Sequence, residues 1–464
     1  MYMPVQFLTF WQWCEVGVMN VAEYLAVVQE QISNKRAKKL IERELSNHVS
    51  EQMEAYKEMG MSEEAAEAES IRQMGDPVKT GYELNRLHKP EMPYGMLSVF
   101  VILSVLGTLM QFIIFSITEI QGDYQIKTVC YHIVSMMIVL LMLHVDYSFF
   151  VRYSGWLTGA WMLAVWFASQ NMEWGKRLMA GYYLMLSFPI LVICIFYKRR
   201  ETGIRGIVQT MLWVWGGFFW NICWSERRLA GAFEAVLTIH VVISIMIACG
   251  IYEKKAPIIA RVKYLLILWL PTMLFALLIA GSIMGTDSYV ADKIYAFFQL
   301  EEYGESVGYV SSLIQEWNQN FTIWGNQELF MVLPWALHTD YMVNSIFSYF
   351  GIFAGVFVLL LYVGLMVKSF HMSMKQKNRL GYGIGLVCSV CLLIRIVLCV
   401  ASNFGIVPRF TVSMPFLSYG LANTVTDGIY MGLLCSVFRN TKILPEPDKR
   451  LHRPKYEIKI VKNQ

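Results

Sequence analysis

Arg395 stands in the run Leu-Leu-Ile-Arg-Ile-Val-Leu and Asp427 in Asn-Thr-Val-Thr-Asp-Gly-Ile, each in the middle of a stretch otherwise fit for a bilayer. A charge at the centre of a membrane helix costs roughly 2.5–3.5 kcal/mol on insertion scales, so neither side chain should face lipid. Opposite in sign and in consecutive runs, the two are expected to pair in a structural role; a cavity-lining ligand site is the alternative. Between them lies Met414 to Gly420, where Pro415 and Gly420 bracket Phe-Leu-Ser-Tyr. Broken backbone at membrane depth is tolerated only where protein or a cavity takes up the freed polar groups. A bent segment at a functional site is therefore expected, with Pro415 and Gly420 as its structural ends. A second constellation is cationic: Lys176 and Arg177 follow Trp174 and Gly175 at the edge of an apolar run. Two adjacent cations suit a polyanion, with interfacial snorkelling as the alternative. Cys388 and Cys391 have CxxC spacing but sit inside an apolar run. Packing is the preferred reading there, because metal or redox chemistry would need further ligands. No metal site is expected from the protein's own residues.

These residues need membrane helices to position them. Of 464 residues, 56% are hydrophobic and only 16% charged, well below the charge of soluble domains. The fold class is all-α: a polytopic membrane protein preceded by a small cytosolic helical bundle. Apolar runs near 95–118, 127–147, 153–171, 179–197, 206–223, 230–251, 263–284, 342–367, 381–402 and 415–438 predict ten transmembrane helices. Each is about long enough to cross roughly 30 Å of hydrocarbon at 1.5 Å per residue. Connections rich in Lys and Arg, at 198–205, 254–263 and 368–379, alternate along the chain. By the positive-inside rule they share the cytoplasmic side with both termini. Arg227 and Arg228, on an outer connection, break the pattern. The connection 285–341 is far longer than the others and carries Asp287, Asp292, Glu301, Glu302, Glu305, Glu316, Glu328 and Asp340 against the single Lys293. Long loops of this kind are usually functional, and the acidic excess fits the outer face.

Ahead of the membrane part the composition changes. Residues 1–18 are apolar but lack the basic start and cleavage site of a signal peptide. Met19 is a plausible true initiator, and an interfacial anchor is the alternative reading. Residues 19–92 are densely charged, with Leu40, Ile41, Leu45, Val49 and Met53 at helical spacing. Ser62 and Asp76 are expected helix N-caps, the latter followed by Pro77. This part resembles the short cytosolic helical prefix of some bacterial permeases, which implies a structural or protein-binding module. The membrane domain is expected over 93–440, and 441–464 is a basic tail. Net charge of +4 is too small to suggest nucleic acid.

The membrane part resembles the SEDS family (FtsW/RodA/SpoVE). His144-Val145-Asp146-Tyr147 with Arg152 is similar to the family's Arg-Ile-Asp-Tyr, and Trp174 to Arg177 to its Gly-Ala-Lys-Arg-Trp. Gly308-Tyr309 stands where the family has Gly-Tyr-Gln. Leu333-Pro334 and His338-Thr339-Asp340-Tyr341 resemble Leu-Pro-Glu-x-His-Thr-Asp-Phe. Asn403-Phe404-Gly405 resembles Asn-Ile-Gly, and Pro415 to Gly420 the family's Pro-Phe-Ile/Val-Ser-Tyr-Gly. The ten spans and the large loop after the seventh match its layout. The resemblance implies peptidoglycan synthesis at the bacterial plasma membrane, in division or shape control, with glycan strands polymerised from lipid II. It implies His338, Asp340, Ser418 and Tyr419, with Lys176 and Arg177, as substrate-binding residues. It also implies a divalent cation as companion of the pyrophosphate and a class B penicillin-binding protein as partner.

The family's polar chemistry is thinner here. Its loop Asp, five residues before Gly-Tyr, corresponds to Tyr303, so Glu302 or Glu305 is the expected catalytic carboxylate; solvated loop acids are the alternative. The Gln-Pro-Ser-Glu-x-x-Lys stretch reads Phe188-Pro189-Ile190-Leu191, with Cys194 at the Lys position. Pro-Asp-x-Gly-Thr reads Arg227-Arg228-Leu229-Ala230-Gly231. The paired Glu positions are Ser348 and Tyr349, and Gly-Gly-Ser-Ser reads Gly420-Leu421-Ala422-Asn423. Three readings stay open: an active polymerase, a degenerate homologue that binds a partner or lipid II, and transport of the lipid-linked precursor.

Overall fold

The computed structural model describes residues 19–33, 35–87, 89–117, 122–224, 229–254, 256–284, 289–326, 337–376, 378–408 and 412–441. The extension 1–18, Arg227, Arg228, Asp287, Glu328, Leu333, Pro334 and the tail beyond 441 lie outside the described residues, as do the side chains of Leu40, Trp174 and Glu301. Among the described residues every regular element is a helix.

The chain divides into two compact units, one made of 1–91 with 439–446 and the other of most of the remainder. The first holds α1 (Val21–Glu30), α2 (Lys35–Glu58), α3 (Glu63–Met74) and α4 (Pro77–Leu87). Short polar side chains start these helices. Asn20 and Glu23 form a reciprocal capping box on α1, and Ser62 Oγ accepts the Ala65 N–H at 3.3 Å on α3. Asp76 Oδ1 accepts the Val78 N–H at 2.8 Å, and Pro77 opens α4 where a missing N–H costs nothing. Tyr24, Val28, Ile32, Ala37, Ile41 and Ile71 form the buried cluster of this unit.

The second unit contains α5 (Tyr94–Ile117), α6 (Tyr124–His144), the short α7 (Ser148–Arg152), α8 (Ser154–Asn171), α9 (Trp174–Lys198), α10 (Ile204–Trp224), α11 (Leu229–Ala248) and α12 (Ile258–Met284). After the long connection, which folds α13 (Tyr289–Phe298), α14 (Leu300–Tyr303) and α15 (Tyr309–Gln319), come α16 (Met342–Met374), α17 (Arg379–Asn403) and α18 (Leu421–Arg439). Eight of these are long and apolar enough to cross a membrane; α8 and α10, rich in Trp and Gly, fall short of that measure. Helices α9, α11 and α17 pack on one another, and α16 packs on α17. Helix α18 is buried along most of its length, whereas α12 faces outward along nearly all of its own.

Four boundaries differ from those expected by five residues or more, one of them the start of α12, at Ile258 and not 263. The last span begins at Leu421, not 415, because Phe416 and Gly420 take φ of 66° and 138°, which no helix continues. Helix α9 starts five residues early, so Lys176 and Arg177 lie in its first turn. Helix α16 extends to Met374 but is broken inside, where Gly351 has φ 89° and ψ 173°.

That break is a backbone crossing. The Ile352 N–H donates to Thr322 O at 3.0 Å and the Asn326 N–H to Ser348 O at 2.6 Å, so the long connection pairs with unwound helix backbone. A Cβ on Gly351 would stand 2.3 Å from Ile323 O, and one on Gly325 would stand 2.1 Å from Tyr349 O. Gly351→Ala is expected to lower stability by about 2–3 kcal/mol, from a conformation only Gly adopts readily plus the clash. Gly364→Ala, in the same helix with open space around it, is the control and should gain up to about 1 kcal/mol. Thermal unfolding of both variants in detergent checks this; equal melting temperatures would show the crossing is not structural.

Candidate functional site

Residues 412–420 form a loop whose Val412 to Ser418 stretch is buried ahead of α18. Several of its freed backbone groups have partners supplied by other elements, as a membrane interior demands. Tyr362 of α16 donates its hydroxyl to Pro415 O, and Gln111 of α5 its amide to Leu417 O. The Phe416 N–H donates to Asp427 Oδ2 at 2.8 Å. Ser418 Oγ accepts the Met414 N–H at 2.8 Å and donates to Thr339 O at 2.7 Å. The Tyr419 N–H donates to His338 O at 2.8 Å. Phe416 occupies the left-handed region, rare for a non-Gly residue, and its buried ring meets Phe100 edge-on at 5.3 Å. Gly107 lets the loop lie on α5, since a Cβ there would stand 2.7 Å from Phe416 O.

Beneath the bend is a buried charge cluster. Arg395 Nη1 of α17 meets Asp427 Oδ1 of α18 at 2.5 Å, with both side chains fully buried. Arg395 Nη2 donates to Asn423 Oδ1 at 2.5 Å, and Ser413 Oγ donates to the same oxygen at 3.0 Å. Asn423 and Asp427 are four residues apart, so they share one face of α18. Asn423 Nδ2 in turn donates to Ser418 O at 3.2 Å. The expected Arg395–Asp427 pair is thus present, and it reaches the bend through both of its partners. Sequence reasoning missed Glu234 of α11, also buried, which accepts from Tyr182 Oη at 3.0 Å and lies within electrostatic reach of Arg395. The signal was available: Glu234 is an acid inside an apolar run, as Asp427 is.

His338 and Tyr419 meet at the end of the bundle where α5 stops and α6 starts. Their rings lie 5.4 Å apart, and Phe115, Tyr124 and Tyr131 complete the aromatic cluster around Tyr419. Lys127 lies 5.4 Å from the Tyr124 ring centroid. Asp340 follows directly. Its carbonyl accepts from Asn403 Nδ2 at 2.9 Å, and Asn403 Oδ1 accepts the Asn344 N–H at 3.1 Å. The motif residues His338 to Asp340, Asn403 and Pro415 to Gly420 therefore form one connected structure.

The remaining candidates stand apart from it. Lys176 is exposed and pairs with Glu173 at 2.9 Å, and Arg177 Nη2 donates to Met172 O at 3.3 Å. Glu302 and Glu305 are exposed on either side of Tyr303, whose carbonyl accepts the N–H groups of Ser306 and Gly308 at 3.0 and 2.9 Å. Among the described residues no contact joins either acid to the bend. Cys388 and Cys391 are buried, Cys391 beside Tyr430 Oη at 3.0 Å. No three His, Cys, Asp or Glu side chains among the described residues are placed to hold a metal.

Residues 261–443 match the FtsW/RodA/SpoVE cell cycle protein family. A probable peptidoglycan glycosyltransferase FtsW of Enterococcus hirae is 27% identical over 115 residues, which is 25% of this chain and 28% of that protein. The match thus spans under a third of the curated relative's length. A chain of a peptidoglycan synthase complex, solved for its coordination of polymerization and crosslinking, matches with TM-score 0.58 at 14% identity, over 75% of this chain and 98% of its own length. The rod shape determining protein RodA of Thermus thermophilus matches with TM-score 0.46 at 13% identity, over 75% and 97%.

Proposed function

We propose that the chain is a member of the FtsW/RodA/SpoVE family and works in peptidoglycan synthesis at the bacterial plasma membrane, taking lipid II as its ligand. The observation that carries this reading is the connected structure just described. Four helices and a buried Arg–Asp pair hold the Pro415 to Gly420 bend against His338 and Thr339. Polar bonding at this density fixes one geometry at one end of the bundle, as a binding site for a large amphipathic ligand requires. In this reading both termini are cytoplasmic and the site faces outward, where Ser418, Tyr419, His338 and Asp340 contact the sugars.

Polymerisation needs two things of the protein. A carboxylate accepts the proton of the acceptor sugar hydroxyl while that oxygen attacks the anomeric carbon of the donor. The anomeric carbon–oxygen bond breaks, and undecaprenyl pyrophosphate leaves with the electron pair. Cations meet the growing charge on the pyrophosphate. Glu302 or Glu305 fills the first role and Lys176 with Arg177 the last. A divalent cation belongs to this reading as a companion of the pyrophosphate. A class B penicillin-binding protein is the proposed partner. One observation favours a second reading, binding without polymerisation: the family's loop carboxylate is Tyr303, half-buried and wrapped by its own turn. Purified protein given labelled lipid II, alone and with a class B partner, separates the two. Glycan strands support the polymerase, retained lipid without strands supports the binding protein, and no retention removes both.

Lys176 and Arg177 can be tested separately from turnover. The exposed Glu173 pair is worth little, so Lys176 is free to exchange partners. Lys176→Ala with Arg177→Ala is expected to weaken lipid II binding about tenfold or more, the loss of at least one charge-assisted contact. Unchanged affinity in a binding titration would remove both residues from the site.

A further inference from the structure

Helix α6 sends two kinds of residue in opposite directions. Ile126, Ile133, Met137, Leu140 and Leu141 are exposed along one side, as lipid-facing residues are. Tyr124, Thr128, Tyr131 and Ser135 follow at steps of four, three and four residues, so they share the other side. Two hydroxyls anchor that side. Thr128 Oγ1 donates to Gln111 Oε1 at 3.0 Å, and the amide of the same Gln111 holds Leu417 O of the bend. Ser135 Oγ donates to Thr424 O of α18 at 2.8 Å. The two phenols are thereby brought to Tyr419, with ring centroids 5.8 Å away for Tyr124 and 5.4 Å away for Tyr131.

These rings are not placed as a membrane-surface belt is. Trp156 and Trp324, at 84% and 82% exposed, are the outward-facing aromatic residues of that kind. Tyr124, Tyr131 and Tyr419 are each half-buried against one another, so part of each ring stays open. Lys127 stands at the edge of the same side of α6, exposed, with its ammonium 5.4 Å from the Tyr124 ring centroid. Among the described residues no carboxylate pairs with it. A half-open stack of phenols suits the apolar face of a sugar ring, and a cation held on an aromatic face suits an anion beside that ring.

We propose that Tyr131 and Tyr419 stack a sugar of the lipid-linked ligand and that Lys127, held on Tyr124, meets its pyrophosphate. A pyrophosphate joined to the anomeric carbon lies within one sugar ring of whatever stacks that sugar, and only the Tyr124 ring separates Lys127 from Tyr419. Lys176 and Arg177, at the start of α9, remain for the pyrophosphate of the second lipid-linked sugar that polymerisation requires. This site rests on the lipid II reading and adds to it one face of α6.

The test titrates the full-length protein in detergent with two probes: lipid II, and undecaprenyl pyrophosphate, which keeps the lipid and the anion and lacks the sugars. Lys127→Gln should weaken both about tenfold, the loss of one charge-assisted contact. Tyr131→Leu should weaken lipid II about tenfold, the loss of one stacking contact, and leave undecaprenyl pyrophosphate unchanged. Tyr131→Phe keeps the ring and should bind both probes as the parent does. Lys127 is exposed, so its variant keeps the test valid where Tyr131→Leu fails to fold. Parental lipid II affinity in Lys127→Gln or in a folded Tyr131→Leu overturns the α6 site while leaving the lipid II reading in place. Equal loss of both probes in Tyr131→Leu makes that ring a structural support and overturns the stacking. A parent that binds neither probe overturns this site and the lipid II reading together.

Discussion

Replacing Arg395 by Leu is expected to destabilise the membrane unit by about 3–5 kcal/mol, because it strands a carboxylate in a fully buried place. Asp427→Leu should cost less than Arg395→Leu. Without Asp427, the guanidinium keeps Asn423 and the nearby Glu234, and the lost bond to the Phe416 N–H is the main further penalty. Without Arg395, both Asp427 and Glu234 lose their only described cationic neighbour. The double variant should be more stable than the sum of the two losses predicts, since no lone charge is left from the pair. Thermal unfolding of the three variants in detergent gives the comparison. Strict additivity would show that the two groups do not share an interaction, and equal single losses would show that Glu234 plays no part in balancing Arg395. A Glu234→Gln change made in the Arg395→Leu background should then recover stability.

The same cluster shows what could be read from the residues and what could not. Arg395 and Asp427 were legible because a charge inside an apolar run has few places to go. Glu234 carries the same signal, but a single acid in a run with no matching cation does not name its partner. Asn423 was illegible as a bridge: it is uncharged, and only its position one turn before Asp427 places it under the bend. The helices of the membrane unit followed from the apolar runs. Their ends did not, because caps and kinks depend on single residues such as Phe416, whose left-handed backbone is held by contacts from α5, α16 and α18. Gly351 is the clearest case. In sequence it is one more small residue in a membrane run; in the structure it admits the long connection into the middle of a helix.

Under the proposed function, the long connection supplies the chemistry. Two of its exposed acids, Glu302 and Glu305, flank a Tyr where the family pattern has a carboxylate, and α14 is too short to fix their direction. Exposed carboxylates on such a segment can turn toward a bound acceptor sugar, which is the condition a general base must meet. Glu302→Gln with Glu305→Gln is therefore expected to lower lipid II polymerisation by about 10²-fold or more, the usual contribution of a positioned base. Binding should change little, since two neutral amides keep the size of the side chains and neither acid makes a described contact with the bend. Tyr303→Asp should act in the opposite sense, raising turnover by placing a carboxylate at the position the family uses. Strand synthesis by the double Gln variant at the parental rate would put the base elsewhere, with half-buried Asp340, pinned by Asn403, as the next carboxylate to change. If the parent makes no strands under any partner condition while Tyr303→Asp does, the chain is a binding protein whose lost activity traces to that one position.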